Sequence, residues 1–179
     1  MSRFGKVFWF ATLTPMLFGF DWWTKEAARG LPLGDQVSVL PGFLAWTHAE
    51  NPDIAFSMPV PHALIYAFGA VAITALIGMV RTLPAGARVQ AAALASITAG
   101  AAGNLWDRVT DGTVTDFVRV YTDSPTWAPW LVERFGTATW PIFNVADACV
   151  FVGVALWMVH GLVEREGPGD QALDELDAA

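Results

Sequence analysis

Phe143-Asn144-Val145-Ala146-Asp147 opens the last hydrophobic segment of the chain, which runs on through Cys149, Val150, Phe151, Val154 and Trp157 to Val163. An apolar run of about twenty residues is long enough to cross a bilayer as a helix. Asp147 sits about one and a half turns inside it. A carboxylate in a span is disfavoured by about 2.5–3.5 kcal/mol at the centre and by less near the ends, so it faces a water-filled cavity or a partner. The best partner in the sequence is Asp116, in Val114-Thr115-Asp116-Phe117, just beyond the preceding apolar segment. A second carboxylate brought to the same interface makes an acid/base pair.

The composition supports a membrane setting for that segment. Of 179 residues, 54% are hydrophobic and 15% charged, and the mean hydropathy is +0.43. Soluble domains average nearer 25% charged, so the apolar surplus implies faces turned to lipid. The net charge of -7 is concentrated in the tail after Val163, where Glu164, Glu166, Asp170, Asp174, Glu175 and Asp177 face only Arg165. The tail, residues 164–179, reads as a solvated cytoplasmic end to a membrane domain of residues 1–163. No basic patch suggests a nucleic-acid partner. The single Cys149 cannot form an internal disulfide and reads as packing within the last span.

Three further apolar runs precede the last, giving expected spans at 7–23, 63–80, 89–105 and 142–163. Arg3 and Lys6 before the first run resemble the start of a signal peptide. The bulky, charged Phe20-Asp21-Trp22-Trp23-Thr24-Lys25 offers no small-residue cleavage site, so the run reads as a retained span. Four spans put both termini on one side. Arg3, Lys6, Arg81 and Arg88 crowd a short terminus and a short loop, which places that side in the cytoplasm. The longer connections then lie outside. The first of them carries the alternating Gln36-Val37-Ser38-Val39-Leu40 before Pro41-Gly42, a short strand or small sheet on the membrane face. The second carries Trp127, Trp130, Phe135 and Trp140, which suit headgroup anchoring or a substrate groove.

The expected third span is rich in small residues, with Ala95, Ala99 and Gly103 recurring on one face, where another helix can approach closely. Beyond it, Asn104 and Arg108 fall one turn apart on one face. Asp21, Thr24, Lys25, Asn51, Asn104, Asp107, Arg108, Asp116, Asn144 and Asp147 all map to the outer ends of the spans. Singly, each has an ordinary explanation: Asp21 with Lys25 as an i,i+4 pair, or Asn104 and Asn144 as interhelical hydrogen bonds worth only about 0.6 kcal/mol. Jointly, their confinement to one side favours a site.

Two close carboxylates cannot both ionise easily, so the pair shares a proton. The ionised member takes a proton from water as it attacks a carbonyl, and the protonated member donates to the developing oxyanion. His48, His62 and His160 are scattered and lack zinc-ligand spacing, and neither a nucleophile motif nor a phosphate-binding glycine loop is present. The expectation is therefore chemistry without metal or cofactor.

The set Asp21-Trp22-Trp23-Thr24-Lys25, Asn51-Pro52-Asp53-Ile54-Ala55-Phe56, Gly103-Asn104-Leu105-Trp106-Asp107-Arg108, Val114-Thr115-Asp116-Phe117 and Phe143-Asn144-Val145-Ala146-Asp147 resembles the lipoprotein signal peptidase family, signal peptidase II, in order and up to about Val163. The resemblance implies an all-α membrane protein with four transmembrane helices and a small extramembrane β cradle on the periplasmic side. It implies an aspartic endopeptidase of the bacterial inner membrane that cuts prolipoproteins before the diacylglyceryl-modified cysteine. Asp116 and Asp147 are then the catalytic dyad. Asn104, Arg108 and Asn144 position carboxylates and substrate, Asn51 is a cradle contact to substrate, and Asp21 and Lys25 brace the edge of the site. Prolipoprotein and membrane lipids are the implied partners of a single chain.

Two features depart from the family pattern. Pro52-Asp53 stands where Gly usually follows two residues after the Asn, which alters the loop and adds an acid that would raise the upper pKa of the pair if it faced the dyad. The connection from Asp116 to Asp147 is long and Trp-rich, suited to a lid, a membrane-surface flap or a plain spacer. Other readings are an inactive homologue that binds lipoproteins and a small proton-relay or transport subunit. A relay requires polar groups through the whole depth of the spans, and these cluster at one end.

Overall fold

The computed structural model describes residues 4–52 and 61–165. The chain is mostly helical: α1 (Phe4–Arg29), α2 (His62–Thr82), α3 (Arg88–Thr110), α4 (Trp127–Phe135) and α5 (Val145–Arg165). Strands β1 (Gln36–Leu40), β2 (Leu44–Asn51) and β3 (Val114–Val120) form one antiparallel sheet in the order β1-β2-β3. Asp53 of the altered motif and the acidic residues from Glu166 onward lie outside the described residues.

Helix α3 is the centre of the bundle and packs against α1, α2 and α5. Its small residues make this possible. A Cβ at Gly100 would stand 2.2 Å from the Ala146 carbonyl oxygen of α5, and one at Gly153 of α5 would stand 2.7 Å from the Ala93 carbonyl oxygen of α3. Such backbone approach suits helices in lipid, where small residues supply the contact area. Ala91, Ala95 and Ala99 of α3 are buried as well.

The outer faces are apolar instead. Phe68, Val71, Phe151 and Leu162 are all exposed, which inverts the soluble pattern and leaves surface for lipid. Helix α2 and residues Val145–Glu164 of α5 are long and apolar enough to cross a membrane, with mean hydropathies of 2.2 and 1.8. Helix α1 carries Lys6, Asp21, Lys25, Glu26 and Arg29, while α3 is built from Ala, Gly, Ser and Thr, so both are less apolar.

The helices exceed the expected spans where the polar motifs lie. Helix α1 continues six residues past position 23 and α3 five past 105, carrying the polar side chains onto rigid helical ends. The last helix begins later than expected, at Val145 rather than 142. Phe143 is instead paired antiparallel with Val118 of β3, which holds residues 141–144 out of the helix.

Strand β1 ends where the Pro41-Gly42 signal placed it, and Gly42 adopts the positive φ of 73° that the turn requires. Within the sheet Asn51 pairs with Val114 and Trp46 packs on Phe117 with ring centroids 4.4 Å apart, and the sheet is attached to the polar end of the bundle at Thr115, which bonds Arg29 of α1 at 3.0 Å and Asp107 of α3 at 3.3 Å. Helix α4 occupies the long connection after β3. It ends at Gly136, whose left-handed φ of 78° lets its N–H reach the Val132 carbonyl at 2.8 Å.

Candidate active site

Strand β3 presents Asp116 and the first turn of α5 presents Asp147, both at the end of the bundle where α1 and α3 finish. Asn144 ties them together. Its side-chain Nδ2 donates to Asp116 Oδ1 at 2.8 Å, and its backbone N–H donates to Asp147 Oδ2 at 3.1 Å. Its Oδ1 accepts the backbone N–H of Asp147 at 2.9 Å. Asn144 and Asp147 thus form a capping box, in which residues three apart satisfy each other's backbone donors at a helix start.

Each carboxylate has a second asparagine. Asn51 Nδ2 donates to Asp116 Oδ2 at 3.1 Å, and Asn104 Nδ2 donates to Asp147 Oδ1 at 2.7 Å. Each of the four carboxylate oxygens therefore accepts at least one hydrogen bond from the protein. Asp116 is only 4% exposed. Burial pushes its pKa up to about 6; the bond from Asn51 opposes the rise and the charge of Asp147 adds to it.

Beneath the pair lies a buried ionic support. The fully buried Lys25 ammonium meets Asp21 at 2.8 Å, Asp107 at 3.0 Å and Asn104 Oδ1 at 3.1 Å, which occupies its three protons. Asp21 also accepts the backbone N–H of Ala146 at 2.7 Å, fixing the residue before Asp147. Asp107 accepts the Thr115 backbone N–H at 3.3 Å, fixing the residue before Asp116. The support thus reaches the backbone beside both aspartates.

Beside Asp147 an apolar cavity of about 310 Å³ opens between Trp140, Phe143, Ala148, Phe151 and Val152. An apolar ligand could lie there with a polar bond against the carboxylates.

The chain is matched over residues 13–163 by the model of the family described as signal peptidase (SPase) II. The chain belongs to the signal peptidase II family. The lipoprotein signal peptidase of Listeria monocytogenes serotype 4b (strain CLIP80459) is 33% identical over 154 residues, covering 85% of this chain and 92% of the relative. That of Ectopseudomonas mendocina (strain ymp) is 34% identical over 161 residues, covering 87% and 88%. Two solved structures described as bacterial membrane enzymes share the fold, one with a TM-score of 0.73 at 24% identity over 88% of this chain and 89% of the other. The second has a TM-score of 0.67 at 25% identity over 86% and 92%.

In this signal peptidase II chain, Asp116, Asp147, Asn51, Asn104 and Asn144 form one hydrogen-bonded set, and Asp21 with Lys25 lies directly below. Asn51, expected as a substrate contact, stands beside the dyad and donates to Asp116 Oδ2. Arg108 Nη1 donates to the Asn104 carbonyl at 3.2 Å, and its charge acts on both Asp116 and Asp147. The reading of the sequence passed over the depth of the support. Asp107 is only 2% exposed and pairs with Lys25, and Thr115 is fully buried beside Arg29 and Glu50. Glu50 is held below the usual carboxylate range: partial burial works against this and is outweighed by hydrogen bonds from Thr113, His48 and Thr115. The Asn-x-x-Asp spacing of 144 and 147 was the readable sign of the cap.

Proposed function

We propose that the chain removes the signal peptide from prolipoproteins by cutting before the diacylglyceryl-modified cysteine, with Asp116 and Asp147 as the catalytic dyad. The observation that carries this is the bridge of Asn144 between the two aspartates, joined to membership of a family whose relatives are lipoprotein signal peptidases. The pair holds one proton between its members. The ionised carboxylate withdraws a proton from water as the water attacks the scissile carbonyl, and the protonated one donates to the oxyanion. The proton then passes to the leaving amine, and the pair returns to its single-proton state.

The exposed apolar faces support a membrane setting. All four long helices cross the bacterial inner membrane, both termini are cytoplasmic, and the sheet with the dyad lies at the periplasmic face, where water enters. The chain acts as a monomer on a substrate that diffuses in the membrane plane. A relay of protons would require ionisable groups through the bilayer. Among the described residues the buried ones sit at the ends, with Lys6 at one and Asp21, Lys25, Asp107 and Asp116 at the other.

Asp116→Asn and Asp147→Asn are each expected to abolish cleavage of a diacylglyceryl prolipoprotein by the purified protein while leaving it folded and inserted. Full activity in either variant would falsify the dyad. Cleavage of the lipidated but not the unlipidated peptide is the accompanying expectation.

A further inference from the structure

A basic cavity of about 590 Å³ lies at the end of the bundle opposite the dyad, where α1 begins and α2 finishes. Among the described residues Lys6, Val7, Arg81, Thr82, Leu83 and Ala85 line it. Lys6 is only 6% exposed, and its ammonium donates to the carbonyl oxygens of Arg81, at 3.0 Å, and Leu83. A lysine from α1 thereby caps the last carbonyls of α2. No acid balances it: the ion pairs among the described residues all lie elsewhere, and at this end Glu164 of α5 faces His160 at 3.7 Å. Buried charges are ordinarily paired, so an ammonium and a guanidinium sharing one cavity without a carboxylate need an explanation.

We infer that this cavity binds the phosphate of an anionic phospholipid, with Lys6 and Arg81 as its cations, so that the lipid bridges α1 and α2. The inference rests on the membrane setting proposed above and not on the dyad. Three observations choose the occupant. Donors are in excess: Lys6 uses the carbonyls of Arg81 and Leu83, and the Thr82 hydroxyl donates to the Met79 carbonyl at 2.8 Å, whereas the third Lys6 proton and the Arg81 guanidinium have no acceptor among the described residues. A phosphodiester only accepts, and hydrogen bonds to it from cations are the strong kind. Depth agrees, because the 21 residues of α2, at about 1.5 Å each, match the roughly 30 Å of a hydrocarbon core and set Arg81 and Thr82 at the headgroup level. The walls agree too. Val7 in the lining and Phe8 next to it are 52% and 61% exposed, which offers acyl chains a surface that a free anion cannot use. A zwitterionic headgroup would bring its own ammonium against Lys6 and Arg81, so net negative charge is what the cavity selects.

The test uses the purified full-length chain in a neutral detergent, with phosphatidylglycerol or phosphatidylcholine of the same acyl chains added and retained lipid counted by native mass spectrometry. Phosphatidylglycerol is expected to bind saturably, to raise Tm and to be retained in preference to phosphatidylcholine. Arg81→Gln keeps the backbone carbonyl that Lys6 uses and is expected to fold, with retention of phosphatidylglycerol weakened roughly fivefold for the loss of one cation at the membrane surface. Lys6→Met uncaps α2 as well, so it is read through the preference between the two lipids, which should disappear, and not through Tm. Arg134→Gln, in α4 at the other end of the molecule, controls for general attraction and should match the parent. Equal retention of the two lipids by the parent, or equal losses in Arg81→Gln and Arg134→Gln, overturns the inference. A Tm rise of the same size with inorganic phosphate at the same concentration identifies a free-anion site and overturns it also. Cleavage of a lipidated peptide is measured in parallel: a parent that retains phosphatidylglycerol selectively but does not cleave supports this site and removes the peptidase reading, and one that cleaves without selectivity does the reverse.

Discussion

Lys25 Nζ stands 3.1 Å from Asn104 Oδ1, and this contact sets the polarity of the whole site. An ammonium only donates, so Asn104 must turn its oxygen to Lys25 and its nitrogen to Asp147. Asn144 Nδ2 also donates to Asn104 Oδ1, at 3.1 Å, and from the same amide to Asp116. Each of the three asparagines thereby aims a side-chain donor at a carboxylate. The amides cannot take the proton shared by the dyad, which stays on the carboxylate lone pairs open to the cleft.

Replacing Lys25 by Met tests this dependence. The change leaves Asp21 and Asp107 facing each other in a buried site without their cation, and breaking a buried ion pair on one side costs about 3–5 kcal/mol. Asn104 also loses the contact that orients it. Thermal unfolding in detergent is expected to show a markedly lower Tm, and the fraction that remains folded is expected to cleave at least tenfold more slowly. A Tm equal to the parent would contradict the role given to the buried cation.

The aspartates, the supporting asparagines and the first strand were legible because each sits in a local pattern: an acid in an apolar run, an amide at a helix end, alternation before Pro41-Gly42. What was not legible depends on pairing between distant segments. Phe143 reads as span residue by hydropathy, yet its backbone is taken by Val118, 25 positions earlier, as an antiparallel bridge. Asp107 reads as one of the polar group at the outer ends of the spans, and only the fold places Lys25 beside it. Helix α4 has a weak local signal because its aromatic residues, among them Trp127, Trp130 and Phe135, serve equally as anchors in a loop.

The raised pKa of Asp116 predicts a pH profile. As pH rises through about 6, the free pair loses its shared proton, so kcat/KM should decline above that value. Substrate filling the cleft removes water and raises the pKa further, so the decline in kcat should come later. Asn51→Ala deletes a hydrogen bond that favours the ionised form and should move both declines to higher pH. Stability carries the same sign. The folded state holds the proton up to about 6, against an ordinary value of 3.8, so the contribution of Asp116 is full below 3.8 and is lost as pH rises through 6. A profile unmoved by Asn51→Ala would count against the assignment of the descending limb to Asp116.

Asn144 can be divided into its two roles. Asn144→Asp keeps an oxygen for the Asp147 backbone N–H, so the helix cap survives, but it places a third carboxylate against Asp116 and Asn104. Asn144→Ala loses the cap, at about 1 kcal/mol, and adds no charge. Because Asn144 is fully buried, the Asp variant should unfold below the parent despite its intact cap, and its folded fraction should cleave more slowly than the Ala variant at neutral pH. Higher activity in the Asp variant than in the Ala variant would show that the cap, and not the bond to Asp116, is what Asn144 supplies.

Glycines at the α3–α5 seam should be intolerant in proportion to what their missing Cβ would meet. At Gly103 the new atom would lie 2.4 Å from Asp21 Oδ2 and 3.4 Å from the Ala146 Cβ. Gly103→Ala therefore pushes Asp21 away from Lys25 and slackens its hold on the Ala146 N–H, one residue before Asp147. At Gly100 the new atom meets backbone, the Ala146 carbonyl oxygen at 2.2 Å, and helix α5 itself must shift. Overpacking of this kind costs about 1–3 kcal/mol. Gly161, on the same helix as Asp147 but with nothing within 4 Å of a built Cβ, is the control. Gly100→Ala and Gly103→Ala should lower both Tm and kcat, and Gly100→Ala should raise KM as well, because Ala148, Phe151 and Val152 of the cleft wall move with α5. Gly161→Ala should match the parent in all three. Loss of Tm without loss of kcat at Gly103 would separate the helix seam from the positioning of Asp147 and remove Asp21 from the chain of contacts that holds it.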